Sequence, residues 1–155
     1  MTDLGIDFAQ KVLDEQPFSR LLGARITAFA DGAATLEVDI RDDLRQQFGY
    51  AHGGLLAYAA DNALTFAAGT VLGPAVLTGG FSVQYLRPAR DGTLRAEAYV
   101  VHAGRRQAVC RCDIYAVGPD TGDVADTGAA DGERGPELCA VAQGTILTAP
   151  QGTGT

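Results

Sequence analysis

The sequence predicts an α+β fold in which an antiparallel β-sheet wraps around one long apolar helix. Three observations carry that expectation. The run from Gly53 to Phe81 holds almost no charge, and period-two stretches rich in β-branched and aromatic residues flank it. Short Gly-containing turns join those stretches, which favours antiparallel neighbours over crossovers. At 155 residues with 46% hydrophobic content, the chain suits a single domain, expected over 1–148 with 149–155 as a disordered tail.

Residues 3 to 16 carry Leu4, Phe8, Val12 and Leu13 at helical spacing ahead of Pro17, so a short amphipathic N-terminal helix is expected. The stretch ARITAFADGAATLEVDIRDD reads as two strands joined at Asp31-Gly32, with Leu36, Val38 and Ile40 alternating against Thr35, Glu37 and Asp39. A polar loop over 41–51 then leads into a helix of about 17 residues from near Gly53, about 25 Å long. Because that helix is apolar nearly all round, it belongs in the core.

Three further strands follow in AVLTGGFSVQYLRPA, TLRAEAYVVHAG and RQAVCRCDIYAVG, separated by turns at Arg90-Asp91-Gly92 and Ala103-Gly104. Residues 118 to 137 are rich in Gly, Asp and Pro and read as a long surface loop. LCAVAQGTILTA is a last strand, and PQGTGT a frayed end.

Twelve basic residues against 19 acidic ones give a formal charge of −7, with Lys11 the only lysine, and argue against a nucleic-acid partner. Cys110, Cys112 and Cys139 form neither an even disulfide set nor a zinc spacing, and the N-terminus has no signal-peptide pattern, so a cytoplasmic location is expected. The uncharged run is long enough to span a membrane. Asp61 sits inside it, at a bilayer cost of about 2.5–3.5 kcal/mol, and Gly69, Gly73, Pro74 and the Gly79-Gly80 pair interrupt it. No membrane association is expected.

AHGGLLAYAADNALTFAAG places Asp61 and Asn62 in the middle of that apolar helix. A carboxylate there loses hydration and persists either as a paired structural group or as chemistry. Thr65 lies one turn on, and Gly54, Ala57, Tyr58 and Ala68 fall on or beside the same face, where small residues leave room for a ligand or a second backbone. At the helix start, His52-Gly53-Gly54 forms either a plain tight turn or a set of free amides that, with the helix dipole, can hold an oxyanion.

Asp61 lies eight residues beyond Gly53, about 12 Å along the axis. One chain therefore cannot bring both to one carbonyl. Two such helices packed antiparallel about a two-fold axis near Ala57 would bring Asp61 of one chain close to Gly53 of the other, so at least a dimer is expected.

QQFGYAHGGLLAYAADNALTFAA and TGGFSVQYLRPARDGTLRAEAYVVHAGR together resemble the hotdog-fold acyl-CoA thioesterases, specifically the phenylacetate-pathway and 4-hydroxybenzoyl-CoA thioesterase group. The acid nine residues after the histidine is more specific than HGG alone. The resemblance implies hydrolysis of an aryl- or medium-chain acyl-CoA to free acid and CoA, with Asp61 as nucleophile or general base. It implies the Gly53 amide as the group polarising the thioester carbonyl, and Gln46, where asparagine is commoner, as the positioner of carbonyl or water. Thr65 and Thr78 match hydroxyl positions of different branches, and Asp61 stands where the 4-hydroxybenzoyl branch has glutamate.

Gly54, Tyr58, Thr78 and Gly79 are the expected substrate contacts. The assembly implied is a homodimer pairing into a homotetramer, without metal, and with no cofactor beyond the CoA of the substrate. A thiolate leaving group with a pKa near 8.5, by analogy with cysteine, needs little help from an acid.

Between Arg87 and Arg111 six arginines face two acids, and turns carrying Arg87, Arg90, Arg105 and Arg106 would suit CoA phosphates as well as they suit a solvated strand surface. His52 lacks a G-x-S-x-G nucleophile partner and more readily caps the helix than transfers a proton. His102 reads as structural or solvated, and Cys110 and Cys112 as small hydrophobes on one strand face. The rival readings are a noncatalytic acyl-CoA-binding module, a hotdog enoyl-CoA hydratase, whose His–acid pairing is missing, and a structural dimerisation domain, which leaves Asp61 without a purpose.

Overall fold

The computed structural model describes residues 5–118 and 135–150. The body of the loop expected over 118–137 and the end of the C-terminal tail lie outside the described residues. Helix α1 (Ile6–Asp14) buries Ala9 and Leu13. It is followed by α2 (Pro17–Leu22), which the sequence pattern did not predict. Pro17 ends the first helical pattern, yet its fixed φ also suits the first position of a new helix, and Gly23 at φ +74° closes that helix in the left-handed region.

Strands β1 (Arg25–Ala30) and β2 (Ala33–Asp39) form the expected hairpin, turned at Gly32 with φ +75°. A short 3-10 turn, Asp42–Leu44, leads to the central helix α3 (Gly53–Leu72). At 20 residues it runs longer than expected, because its apolar character continues through Val71-Leu72 until Gly73 and Pro74 stop it. Strands β3 (Val76–Tyr85), β4 (Thr93–Ala103), β5 (Gln107–Val117) and β6 (Glu137–Thr148) complete one six-stranded antiparallel sheet in the order β1-β2-β4-β5-β6-β3.

Helix α3 lies across one face of the sheet and touches every strand. Ala59, Ala60, Ala63 and Ala67 let the strands come close, while Leu64 meets a layer that includes Leu36, Val38, Leu94, Ile114 and Ile146, all fully buried. Burying such a leucine or isoleucine contributes about 1.5–3 kcal/mol. The helix is long and apolar enough to span a membrane, but the sheet supplies the apolar surroundings here. Cys110, Cys112 and Cys139 belong to the same buried layer as free thiols.

One irregularity decides what faces the helix. The pairing of β3 with β6 slips between Thr78 and Gly80, leaving Gly79 as an extra residue. A bulge shifts the inward-facing parity of a strand by one. Val76 and Thr78 therefore face the helix before it, and Phe81, Val83 and Tyr85 after it. A Cβ on Gly79 would come within 3.2 Å of the Leu147 side chain and the Thr145 carbonyl oxygen.

Gly144, on β6 opposite Phe81, sits where a Cβ would lie 2.6 Å from Phe81 Cβ and 2.8 Å from the Gly80 carbonyl oxygen. Gly144→Ala is expected to push β3 away from β6 and to cost about 1–3 kcal/mol of stability, as overpacking does. A urea-unfolding midpoint equal to wild type would show instead that β3 yields without cost.

Candidate active site

Asp61 lies two turns into α3, on the strip of the helix that the sheet does not cover. It was expected to be buried, but it is half-buried: its side chain opens on a cavity also lined by Gly54, Ala57 and Tyr58. Thr78, brought inward by β3, donates its hydroxyl to Asp61 Oδ1 at 2.5 Å. Thr65 has one hydroxyl proton and two acceptors, the Asp61 carbonyl at 2.8 Å and Thr78 Oγ1 at 3.1 Å. The structure thus joins Asp61, Thr65 and Thr78 in one cluster, with Thr78 fixing one carboxylate oxygen and Oδ2 left on the open side.

The HGG start of α3 resolves into distinct roles. His52 Nδ1 accepts from the Gly54 N–H at 2.8 Å, and the His52 carbonyl accepts from the Leu55 N–H at 2.9 Å. His52 is therefore the N-cap residue. A side chain on Gly54 would place a Cβ 2.9 Å from that ring nitrogen, so the cap itself requires glycine there. Gly53 N–H donates to no acceptor among the described residues, and it is left at the positive end of the helix dipole. Its carbonyl accepts from the Tyr85 hydroxyl at 2.8 Å, and the phenol lies against the Gly53 Cα.

Gly53 and Asp61 open on different cavities. The one at Gly53, about 320 Å³, is lined by Leu56, Tyr85, Arg87 and Pro88, whereas the one at Asp61 is about 390 Å³. Gln46 belongs to the loop before His52. Its Oε1 accepts from the Phe48 N–H (2.6 Å) and the Tyr50 N–H (3.2 Å), so this end shapes the loop, while Nε2 donates to no acceptor among the described residues. Arg45 clamps the same loop: it donates to the Gly49 carbonyl at 2.7 Å and to the Arg90 carbonyl, and pairs with Asp42 and Asp91.

The four arginines separate into two groups. Arg87 pairs with Glu137 at 2.6 Å, and the Arg90 guanidinium stands 5.4 Å over the Tyr50 ring, both near the start of α3. Arg105 and Arg106 are exposed on the β4–β5 turn, and the Arg106 carbonyl accepts from Thr148 N, beside the first residues of β3. Gly79 acts through the bulge rather than by contact with Asp61.

Sequence reasoning passed over Tyr85 and Arg45. Tyr85 shares a strand face with Thr78 only because of the bulge, and the Gly79-Gly80 pair was the signal available for it. His102 is exposed at the end of β4. Burial pushes the Cys110 thiol up to about 11 and raises Cys112 further, so neither is a nucleophile near neutral pH. No His, Cys, Asp and Glu grouping able to hold a metal occurs among the described residues.

Residues 48–122 match the family described as Thioesterase superfamily. The chain is 31% identical to a thioesterase family protein from Silicibacter pomeroyi, with a TM-score of 0.76 over 91% of this chain and 97% of that one. It is 28% identical to the phenylacetic acid degradation protein PaaI of Thermus thermophilus, with a TM-score of 0.67 over 86% of this chain and 99% of that one. Over 95 residues it is 26% identical to the 1,4-dihydroxy-2-naphthoyl-CoA hydrolase of Listeria monocytogenes, covering 60% of this chain and 77% of that protein. With an antiparallel sheet wrapped on one long helix, the chain belongs to the thioesterase superfamily, as a hotdog-fold acyl-CoA thioester hydrolase.

Proposed function

We propose that the protein hydrolyses an aryl- or medium-chain acyl-CoA to the free acid and CoA, with Asp61 as the reacting carboxylate and the Gly53 N–H as the donor to the thioester oxygen. The observation that carries this reading is the 2.5 Å hydrogen bond from Thr78 to Asp61 Oδ1 on the uncovered strip of α3. A hydroxyl donor on Oδ1 holds the carboxylate in one orientation, with Oδ2 toward the cavity.

Two routes fit this geometry. As a base, Asp61 takes a proton from water, the hydroxide adds to the thioester carbon, and the oxyanion is held at Gly53 until the C–S bond breaks. The CoA thiolate then leaves and takes up a proton. As a nucleophile, Asp61 displaces the thiolate directly to form a mixed anhydride, which water opens to the acid. In either route Gln46 Nε2 can orient the carbonyl or the water, while Thr65 supports Thr78.

The His52 cap favours Gly53 as the oxyanion donor, since it occupies the neighbouring Gly54 amide. The separate cavities at Gly53 and Asp61 favour a site shared between two chains. Strand β3, an edge strand whose second side pairs with no described strand, offers a route for that pairing, and exposed Leu77, Phe81 and Tyr85 lie along it. We place the CoA phosphates at the exposed arginines, Arg87 and Arg90 or Arg105 and Arg106, and the assembly as a homodimer that pairs into a tetramer in the cytoplasm. The hydrolysis named for the Listeria relative, of an aryl-CoA, favours an aryl substrate here.

Free-thiol release from a panel of aryl- and alkyl-CoA esters tests the chemistry. Asp61→Asn, folded by circular dichroism, is expected to lose at least about a hundredfold in rate. Thr78→Val, which removes one hydrogen bond to a charged group, should lose about tenfold. Equal rates for wild type and Asp61→Asn would take Asp61 out of the mechanism, and tight binding without thiol release would favour a noncatalytic module. In light scattering the active species should be a dimer or tetramer; a monodisperse active monomer would overturn the shared site.

A further inference from the structure

The two peptide units that meet at Gly53 carry four polar groups, and three of them are engaged. In the peptide joining His52 to Gly53, the His52 carbonyl accepts from the Leu55 N–H at 2.9 Å. In the next peptide, the Gly54 N–H donates to His52 Nδ1 at 2.8 Å, and the Gly53 carbonyl accepts from the Tyr85 hydroxyl at 2.8 Å. The Gly53 N–H alone has no acceptor among the described residues. Two of the three bonds lie within the start of α3, whereas the third comes from β3, 32 residues along the chain.

The start of a helix does not require that third bond. Its orphaned groups are N–H donors, and its carbonyls already meet the N–H groups of the following turn. A further donor on the Gly53 carbonyl therefore meets no deficit. Nor does Tyr85 fill the core, since it is 52% exposed. The bond instead fixes the orientation of one peptide, at a place where two consecutive glycines give the backbone its widest choice and where helix ends fray.

Tyr85 is held firmly enough to do this. Its backbone pairs with Ala140 in β6, and the next amide, that of Leu86, donates to the Cys139 carbonyl at 2.8 Å. A Cβ on Gly53 would meet Tyr85 Cζ and Oη at 3.4 Å, so the phenol packs on the glycine itself. With Tyr85 Oη at one end of the 53–54 peptide and His52 Nδ1 at the other, that peptide cannot swing, and each bond polarises the other through it. The direction of the Gly53 N–H is then set from both sides of its own Cα. An oxyanion donor is most effective when it needs no reorientation as the charge develops.

We propose that Tyr85 is a positioning residue for the thioester reaction, its hydroxyl holding the 53–54 peptide so that the Gly53 N–H stays aimed at the thioester oxygen. The proposal rests on the hydrolase reading above, in which Gly53 is the donor. Tyr85 acts through Gly53 and touches none of the reacting atoms.

Tyr85→Phe removes the hydroxyl and keeps the ring, so the fold and the apolar edge of β3 should both persist, as checked by circular dichroism and light scattering. With benzoyl-CoA as the probe, the single-turnover rate should fall about tenfold, the scale of one lost hydrogen bond felt at the oxyanion. The dissociation constant of S-benzyl-CoA, a thioether without the carbonyl oxygen, should stay within about twofold of wild type. A second readout follows the carbonyl directly. Benzoyl-CoA isotope-labelled at the thioester carbonyl is bound to Asp61→Asn, and its C=O stretch is read by infrared difference spectroscopy. Binding should lower that frequency, and the double variant Asp61→Asn, Tyr85→Phe should lose most of the lowering, which a role in packing alone would leave in place.

An unchanged rate in Tyr85→Phe, or an equally lowered stretch in both proteins, would overturn the positioning role while thiol release by wild type kept the hydrolase reading. A stretch that binding leaves unmoved with Tyr85 present would remove Gly53 as the donor, and the role of Tyr85 with it. A lowering that depends on Tyr85 in a protein that releases no thiol would keep the positioning role and remove the hydrolysis.

Discussion

A sheet that covers one helix on most of its circumference constrains everything else in this protein. The residues of α3 buried under the sheet are apolar, and the alanines at 59, 60, 63 and 67 let the strands approach. Polar residues are tolerable only on the strip that the strands leave open, and Tyr58, Asp61, Asn62 and Thr65 all gather there. The position of the site thus follows from the packing. An aspartate one position earlier would replace Ala60, which is fully buried, and would be a charge without a partner or water.

The strip is made usable by the bulge in β3. Without the extra residue at Gly79, Thr78 and Tyr85 would project from opposite faces of the strand, since they are an odd number of positions apart. With it, one strand both orients the Asp61 carboxylate and covers the Gly53 backbone, so the two ends of the proposed chemistry are set by a single element. Gly144 on the neighbouring strand makes the accommodation possible by giving Phe81 room, which ties the shape of the cavity wall to the pairing of β3 with β6.

Much of this was legible in the sequence because it obeys simple periods. The hairpin at Asp31-Gly32, the apolar helix from Gly53 and the alternating strands all follow spacings of two or 3.6 residues, and Asp61 stood out as an exception to its own surroundings. Thr78 was legible only as a hydroxyl position in the resemblance, and its pairing with Asp61, 17 residues away, was not, because a bulge changes parity and no period reveals it. The Gly53 amide was foreseen, but the reason it is free and Gly54 is not depends on a side-chain bond from His52 that spacing cannot show. Helix α2 was missed altogether: six residues are too few for a periodic signal, and Pro17 was read as an end when it is also a beginning.

That short helix carries more consequence than its length suggests. Asp61 and Asn62 are neighbours in sequence but point about 100° apart around the helix axis, given 3.6 residues per turn. One side chain meets β3 and its threonine, and the other meets α2 and its serine. The Asp61 carboxylate is therefore held by the sheet, an element the fold cannot change without losing its core, whereas the far side of the cavity is held by the short helix α2, bound to α3 through a few side-chain hydrogen bonds. Changes in α2 can alter what the cavity accepts while Asp61 and Thr78 stay where the sheet places them. Under the proposed chemistry, that separation of supports would let a single hydrolytic arrangement serve different acyl groups.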